Sequence, residues 1–314
     1  MRILWGVPTD LSVRNISAPR GGHISNLKMK EQLSSQFTII NPMWAGNRFI
    51  IMRYLGILFS CFFNSVIFLE TTYIPFSLIC ICKKTICVVR DLTLLKDTGV
   101  RGYIYRRGLI RARIVIVNSN FMKDKLSPFL KRDSMIIVLF PDIGDYTNIA
   151  KRTKFNKVAF ISSDNVFQDK GYDMINKICE LRPDIEIFVY GKRNAKLNDY
   201  GNLCFRGYKS FKQIGQDCRI IIIPSAWEEP FGRIALEAIR ENMEIVAADI
   251  GGLSEILPTM YLIKGDISEY VSLIDDFLCH DRVRLSKLSR LKILDRFKPD
   301  YKGLFNQIYN SCSV

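Results

Sequence analysis

Short apolar runs recur along the chain, each followed by a polar or glycine-bearing stretch and then by a segment with helical spacing. Residues 3–7, 37–40, 65–69, 85–89, 114–117 and 136–140 form the first set of runs; 158–161, 186–190, 203–205, 220–223, the run after Glu244 and 261–263 form a second. Their continuous apolar character, without in–out alternation, predicts parallel strands covered on both faces. Helical spacing lies between them: Ile24, Leu27, Met29 and Leu33, then 75–83, 100–112, 121–130 behind a capping Ser119, 210–216, 265–278 and 282–297. Ser254 is expected to cap a further short helix, and Lys298–Val314 to form a last one. Alternation that restarts near Val158 predicts an α/β protein of two doubly wound, Rossmann-like domains facing across a cleft.

Length and composition agree with that pattern. A chain of 314 residues, 48% hydrophobic and 24% charged, has room for two globular domains and is too apolar to be disordered. The most apolar stretch, 54–69, is shorter than the roughly 20 residues a membrane span needs and is broken by Ser60, Asn64 and Ser65. It reads as a helix and a buried strand, with an interfacial face flanked by Arg48 and Arg53 as the alternative. The net charge of +14 is uneven: residues 1–130 hold 18 Lys and Arg against 6 Asp and Glu, a net of +12. Such an excess suits an anionic partner, whether a lipid headgroup, a polyprenyl phosphate or nucleic acid. Residues 1–7 read as a strand rather than a leader, so the nine cysteines are expected reduced in a cytoplasmic protein. Cys80, Cys82 and Cys87 lack a zinc spacing and a nearby histidine, and read as small buried hydrophobes.

One stretch concentrates chemistry. The strand Ile220–Ile223 ends at Pro224, and Pro230 and Gly232 lead into a helix carrying Ile234, Leu236 and Ala238. The N–H groups of Phe231, Gly232 and Arg233 at that helix start, aided by the dipole, form an anion site. Two carboxylates, Glu229 before the helix and Glu237 about two turns inside it, stand eight residues apart. A ligand that satisfies both amides and carboxylates carries phosphates and hydroxyls, as a sugar nucleotide does. The competing reading makes both glutamates solvated helix-end charges. The sequence has no Asp-x-Asp triplet to clamp a metal-bound diphosphate, so no metal and no cofactor is expected.

The Glu-x7-Glu spacing within residues 224–238, together with the Gly251-Gly252-Leu253-Ser254-Glu255-Ile256 turn, resembles the retaining glycosyltransferases of family 4 (glycosyl transferases group 1), which have the GT-B fold. The resemblance implies an N-terminal acceptor domain over 1–145, a nucleotide-sugar domain over 146–296 and a C-terminal helix, 297–314, crossing back to the first. Residues 141–145 resemble the family's interdomain linker. In that family Glu229 would hold sugar hydroxyls, Glu237 the ribose, and Lys170 with the Phe231–Arg233 amides the diphosphate; Glu229 and Lys170 would be the catalytic pair. Gly21 and Gly22 would let backbone approach the diphosphate, and backbone near Tyr208 would read the nucleobase. His23, Arg90 and Asp91 would contact the acceptor or the sugar. The family usually has His-Asp where this chain has Arg90-Asp91, and an arginine where it has Asp164. The implied activity is metal-independent transfer from a UDP- or GDP-sugar to a saccharide or lipid-linked saccharide; the charge of the basic half, apart from the resemblance, adds an expected peripheral contact to an anionic membrane. A nucleic-acid base glucosyltransferase and a non-catalytic sugar-nucleotide or membrane-surface binding protein are the alternatives.

Overall fold

The computed structural model describes residues 1–6, 21–42, 50–79, 84–144, 149–151, 155–161, 169–191, 201–279 and 285–312. The chain forms two compact units, Met1–Asp142 with Pro299–Val314, and Ile143–Lys298. The first contains β1 (Arg2–Gly6), α1 (Gly21–Ser34), β2 (Thr38–Ile40), α2 (Ile50–Phe62), β3 (Val66–Glu70), β4 (Lys84–Val89), α3 (Thr93–Lys96), α4 (Val100–Leu109), β5 (Ile114–Val117), α5 (Asn120–Leu126) and β6 (Met135–Val138). The second contains β7 (Val158–Ile161), α6 (Tyr172–Leu181), β8 (Ile187–Tyr190), β9 (Leu203–Gly207), α7 (Phe211–Asp217), β10 (Ile220–Ile223), α8 (Arg233–Arg240), β11 (Glu244–Ala248), α9 (Leu253–Ile256), β12 (Leu262–Ile263), α10 (Ile267–Cys279) and α11 (Lys287–Arg296). The last helix, α12 (Tyr301–Cys312), belongs to the first unit.

Each unit holds one six-stranded parallel sheet, ordered β2-β1-β3-β4-β5-β6 and β12-β11-β10-β7-β8-β9. The order reverses between β1 and β3 in the first sheet and between β7 and β10 in the second. In the first sheet, alternate strand residues supply two separate cores. Leu4, Ile67, Leu69, Cys87, Val89 and Val115 face α2, α4 and α5. Ile3, Trp5, Val66, Phe68, Ile86 and Ile114 face α1 and α12. Side chains alternate across a pleat, so continuous apolar runs become a two-sided core. Trp5 stacks on Phe68 at 4.3 Å.

Several helices depart from the expected bounds. Residues 71–78 form a 3-10 helix containing Pro75, where an α-helix over 75–83 was expected. Proline has no N–H for an i to i−4 bond, which favours short tight turns. Residues 80–83, including Cys80 and Cys82, lie outside the described part. Pro128 likewise ends α5 at Leu126, and a single 3-10 turn, Ser127–Phe129, follows. Ser119 caps α5 as expected, accepting from the Met122 N–H at 3.0 Å. Ser254 does not cap α9: Gly252 takes the cap position, and the Ser254 hydroxyl is tied to Asp249 instead. Helix α11 begins at Lys287, because Ser286 caps it through the Ser289 N–H at 3.1 Å.

Among the described residues of the second unit, Arg290 and Glu244 form a fully buried ion pair. The Arg290 Nη2 donates to Glu244 Oε1 at 3.2 Å, and the Tyr261 hydroxyl donates to Glu244 Oε2 at 3.2 Å. The rest of the guanidinium donates to the Met243 carbonyl at 2.8 Å and the Leu285 carbonyl at 3.3 Å. This network ties α11 to the start of β11. Truncation of one partner strands the other charge in the core, so Arg290→Ala is expected to lower unfolding free energy by about 3–5 kcal/mol in urea titration. Burial pushes the Cys179 and Cys218 thiols up to about 11, so both stay neutral at pH 8. In the folded protein neither is expected to react with iodoacetamide at that pH, and both should react in urea, as peptide mapping would show.

Candidate active site

The second sheet reverses its order between β7 and β10, a place where ligands gather above the C-terminal ends of parallel strands. Two loops meet there. Asp169–Gly171 follows β7, and Pro224–Gly232 follows β10. The Ala226 N–H donates to the Asp169 carbonyl at 2.8 Å and joins them. Gly171 has φ 79°, and a Cβ on it would collide with the Pro224 carbonyl oxygen. The Gly251-Gly252 turn after β11 closes on the same loop from the other side. The Gly252 N–H donates to the Glu229 carbonyl at 2.7 Å, and a Cβ on Gly252 would lie 2.5 Å from the Phe231 Cα. The approach of three backbone segments therefore requires residues without side chains.

Inside this frame, one Glu229 oxygen, Oε1, accepts from the Ser225 hydroxyl at 2.8 Å and pairs with the Lys170 ammonium. The side chains of Lys170 and Glu229 are 18% and 10% exposed, so the pair is mostly shielded from water. The ammonium also lies 5.3 Å from the centre of the Trp227 ring. Gly232, at φ 88°, is the N-cap of α8 and brings no side-chain cap to its first turn. Glu237 is the fifth residue of α8, one turn in rather than two. Its Oε1 accepts from Arg233 Nε at 3.0 Å and Nη2 at 2.8 Å. An open groove of about 580 Å³ adjoins the loops, lined by Gly171, Ser225 and Ala226 together with Asp249, Lys264 and Tyr270.

The structure thus brings Lys170 and Glu229 together from 59 positions apart. Arg233 and Glu237 pair along the following helix. Phe231 contributes backbone only, since its ring is buried edge-on to Phe297 at 5.8 Å. Tyr208 follows β9 and is 58% exposed, and the Gly191 N–H to Gly207 carbonyl bond, 2.9 Å, joins the ends of β8 and β9 beside it. In the first unit Gly21, Gly22 and His23 open α1, and their side chains lie outside the described part. Asp164 lies outside it too. Arg90 follows β4, where its Nη2 donates to Asn26 Oδ1 at 2.6 Å and its N–H to the Thr71 hydroxyl at 3.3 Å. Asn26 in turn donates to Glu70 at 2.5 Å. Asp91 is turned to local work, accepting from the Thr93 N–H at 3.0 Å. Sequence reasoning overlooked Ser225, Trp227, Asn26 and Glu70. Only Ser225 carried a signal, as a small hydroxyl next to the proline that ends β10.

The chain has the GT-B fold. It superposes on a sucrose-phosphate synthase from Thermosynechococcus elongatus with a TM-score of 0.73 at 13% identity, covering 98% of both chains. It superposes on HepE from Anabaena, solved in complex with UDP-glucose, with a TM-score of 0.70 at 16% identity, covering 100% of this chain and 99% of that one. Residues 146–283, within the second unit, match the model of the glycosyl transferases group 1 family. An uncharacterized glycosyltransferase of Methanocaldococcus jannaschii is 23% identical over 180 residues, 53% of this chain and 49% of that protein. The chain's matches span about a third to a half of the length of its curated relatives.

Gly171→Ala is expected to destabilise the protein by about 1–3 kcal/mol, through a strained left-handed backbone and the collision with Pro224. Gly201→Ala, where an added Cβ meets nothing within 4 Å, should change stability by less than about 0.5 kcal/mol. Paired thermal melts check both.

Proposed function

We propose that this chain is a retaining, metal-independent glycosyltransferase of family 4 that moves a sugar from a UDP- or GDP-sugar to a saccharide or lipid-linked saccharide. The observation that carries this reading is the convergence of Lys170 and Ser225 on Glu229 at the reversal of the second sheet, beside a helix start without a side-chain cap. The group 1 match over the same residues supports it, as does the likeness to a structure holding UDP-glucose.

The reaction breaks the bond between the sugar's anomeric carbon and the diphosphate, so negative charge grows on the departing phosphate oxygen. Lys170 has three N–H donors; with one on Glu229, two remain for phosphate oxygens. The first amides of α8 add dipoles fixed before reaction, which lower the barrier because they need no reorganisation. Glu229 accepts from sugar hydroxyls on its second oxygen and so sets where the anomeric carbon sits. Glu237 accepts from the ribose, with Arg233 keeping the carboxylate in place. Tyr208 lies on the loop that frames the base, and Gly21 and Gly22 supply a second backbone approach to the phosphates. His23, Arg90 and Asp91 belong to the acceptor side. The acceptor hydroxyl attacks from the leaving-group face and passes its proton to the departing phosphate oxygen, and attack on that face preserves the anomeric configuration. The reading also places the enzyme in the cytoplasm.

The test is transfer with a panel of UDP- and GDP-sugars, with product stereochemistry read by proton NMR. Lys170→Ala and Glu229→Gln are each expected to lower kcat by roughly 10²–10³, the loss typical of a missing charge-stabilising contact. Glu237→Ala should mainly raise KM for the donor, and EDTA should leave the rate unchanged. Full activity in Glu229→Gln, an inverted product, or no turnover with any donor would each reject the reading.

A further inference from the structure

Helix α2 is apolar on both sides. Gly56, Ile57 and Cys61 are buried against the first sheet. Ile51, Leu55, Phe59 and the following Phe63 project outward, at 68%, 38%, 49% and 79% exposure. The i, i+4, i+8, i+12 spacing winds these four into one continuous stripe. A helix with its inner face already packed needs no second apolar face, and surface helices ordinarily turn polar side chains outward. Helix α2 has 13 residues, about 20 Å, too short to cross a bilayer. No helix among the described residues is long and apolar enough to do so.

The stripe has neighbours of matching chemistry on the same side of the sheet. Helix α4 packs against the same core as α2, and the 3-10 helix 71–78 packs on α4. The Ser77 hydroxyl donates to the Gly108 carbonyl at 2.6 Å and fixes that contact. Outward from α4 project Val100, Tyr103 and Ile104, and Ile79 lies exposed just beyond the 3-10 helix. Arg101, Arg107 and, past the helix end, Arg111 are exposed among them. Arg107 lies over the Tyr103 ring at 5.4 Å and donates to its hydroxyl at 3.1 Å. Neither α2 nor α4 contains an acidic residue. The acids of the preceding loop bind backbone: Asp91 accepts from the Thr93 N–H, and Asp97 from the Gly99 N–H at 2.7 Å.

We infer that the outer face of α2 and α4 is a membrane-docking surface. The stripe Ile51, Leu55, Phe59 and Phe63 enters the acyl boundary of an anionic bilayer, while Arg101, Arg107 and Arg111 meet its headgroups. Apolar side chains interleaved with arginines and free of carboxylates match a negatively charged lipid surface in both charge and hydropathy. A protein partner with the same complementarity would have to present acids around an apolar patch. A second copy of this chain offers a repelling arginine face at this surface.

The full chain is to be floated with phosphatidylcholine vesicles and with vesicles containing 30% phosphatidylglycerol, at about 0.1 M and 0.5 M salt. Binding to the anionic vesicles is expected, weaker at high salt, with little binding to phosphatidylcholine alone. Phe59→Ser with Phe63→Ser should lower partitioning at least tenfold. Arg101→Ser with Arg107→Ser should lower it by roughly tenfold or more, about fivefold for each arginine. Leu181→Ser, an exposed apolar position of the second unit, should leave it unchanged. All substituted positions are on the surface, and unchanged melting temperatures would exclude misfolding. Absence of binding to anionic vesicles, or binding that ignores both double variants, would overturn the inference. So would a concentration-dependent dimer, seen by sedimentation, that the phenylalanine variant abolishes: that outcome assigns the face to a second copy.

Discussion

The candidate site depends on backbone meeting backbone more closely than any Cβ permits. Gly171 lies against the Pro224 carbonyl, Gly251 and Gly252 lie against Glu229 and Phe231, and Gly232 turns the chain into α8 at positive φ. The contacts of Gly171, Gly251 and Gly252 fix the same nine-residue loop from the ends of two strands, β7 and β11. A side chain at any of these positions would push the loop outward and separate Lys170 from Glu229. The chemistry of the site therefore rests on what is missing from four residues as much as on what Lys170 and Glu229 carry.

That frame sets the electrostatics. Cations and carboxylates in the loop region arrive already matched: Lys170 with Glu229, Arg233 with Glu237, Lys264 with Asp249 at 3.4 Å. The proposed donor, a diphosphate joined to a polyhydroxylated sugar, would offer the complement of both members of each pair at once. Such pairing holds long side chains in place, which reduces the ordering entropy left to be lost on binding. The first unit is organised differently. There Arg101, Arg107, Arg111 and Arg113 face outward, and Asn26 links Glu70 and Arg90 in a part-buried network.

Much of this was legible in the sequence because parallel strands buried on both faces leave continuous apolar runs. All twelve strands of the two sheets lie within about a residue or two of the runs that announced them. The strand–loop–helix of Ile220–Arg240 was readable because Pro224, Gly232 and two glutamates mark it locally. What was hidden was non-local. Nothing near Lys170 in sequence indicates that Glu229 will be its partner, and nothing near Gly252 indicates contact with Phe231. Helix ends were misplaced where a proline converts α-turns to 3-10 turns, at Pro75 and Pro128, since spacing alone does not distinguish the two. The outer stripe of α2 was only half visible, because an apolar helix in sequence looks the same whether its second face is covered or bare.

Helix α12 has a temporal consequence. Leu304, Ile308 and Cys312 complete one core of the first unit, yet they are made after the whole of the second. During synthesis the second unit, contiguous in sequence, is available to fold while Ile3, Trp5 and Phe68 still lack their last covering helix. The nascent first unit must wait, open on that face, until α12 has cleared the ribosome. In such a chain a unit begun before its neighbour is finished after it.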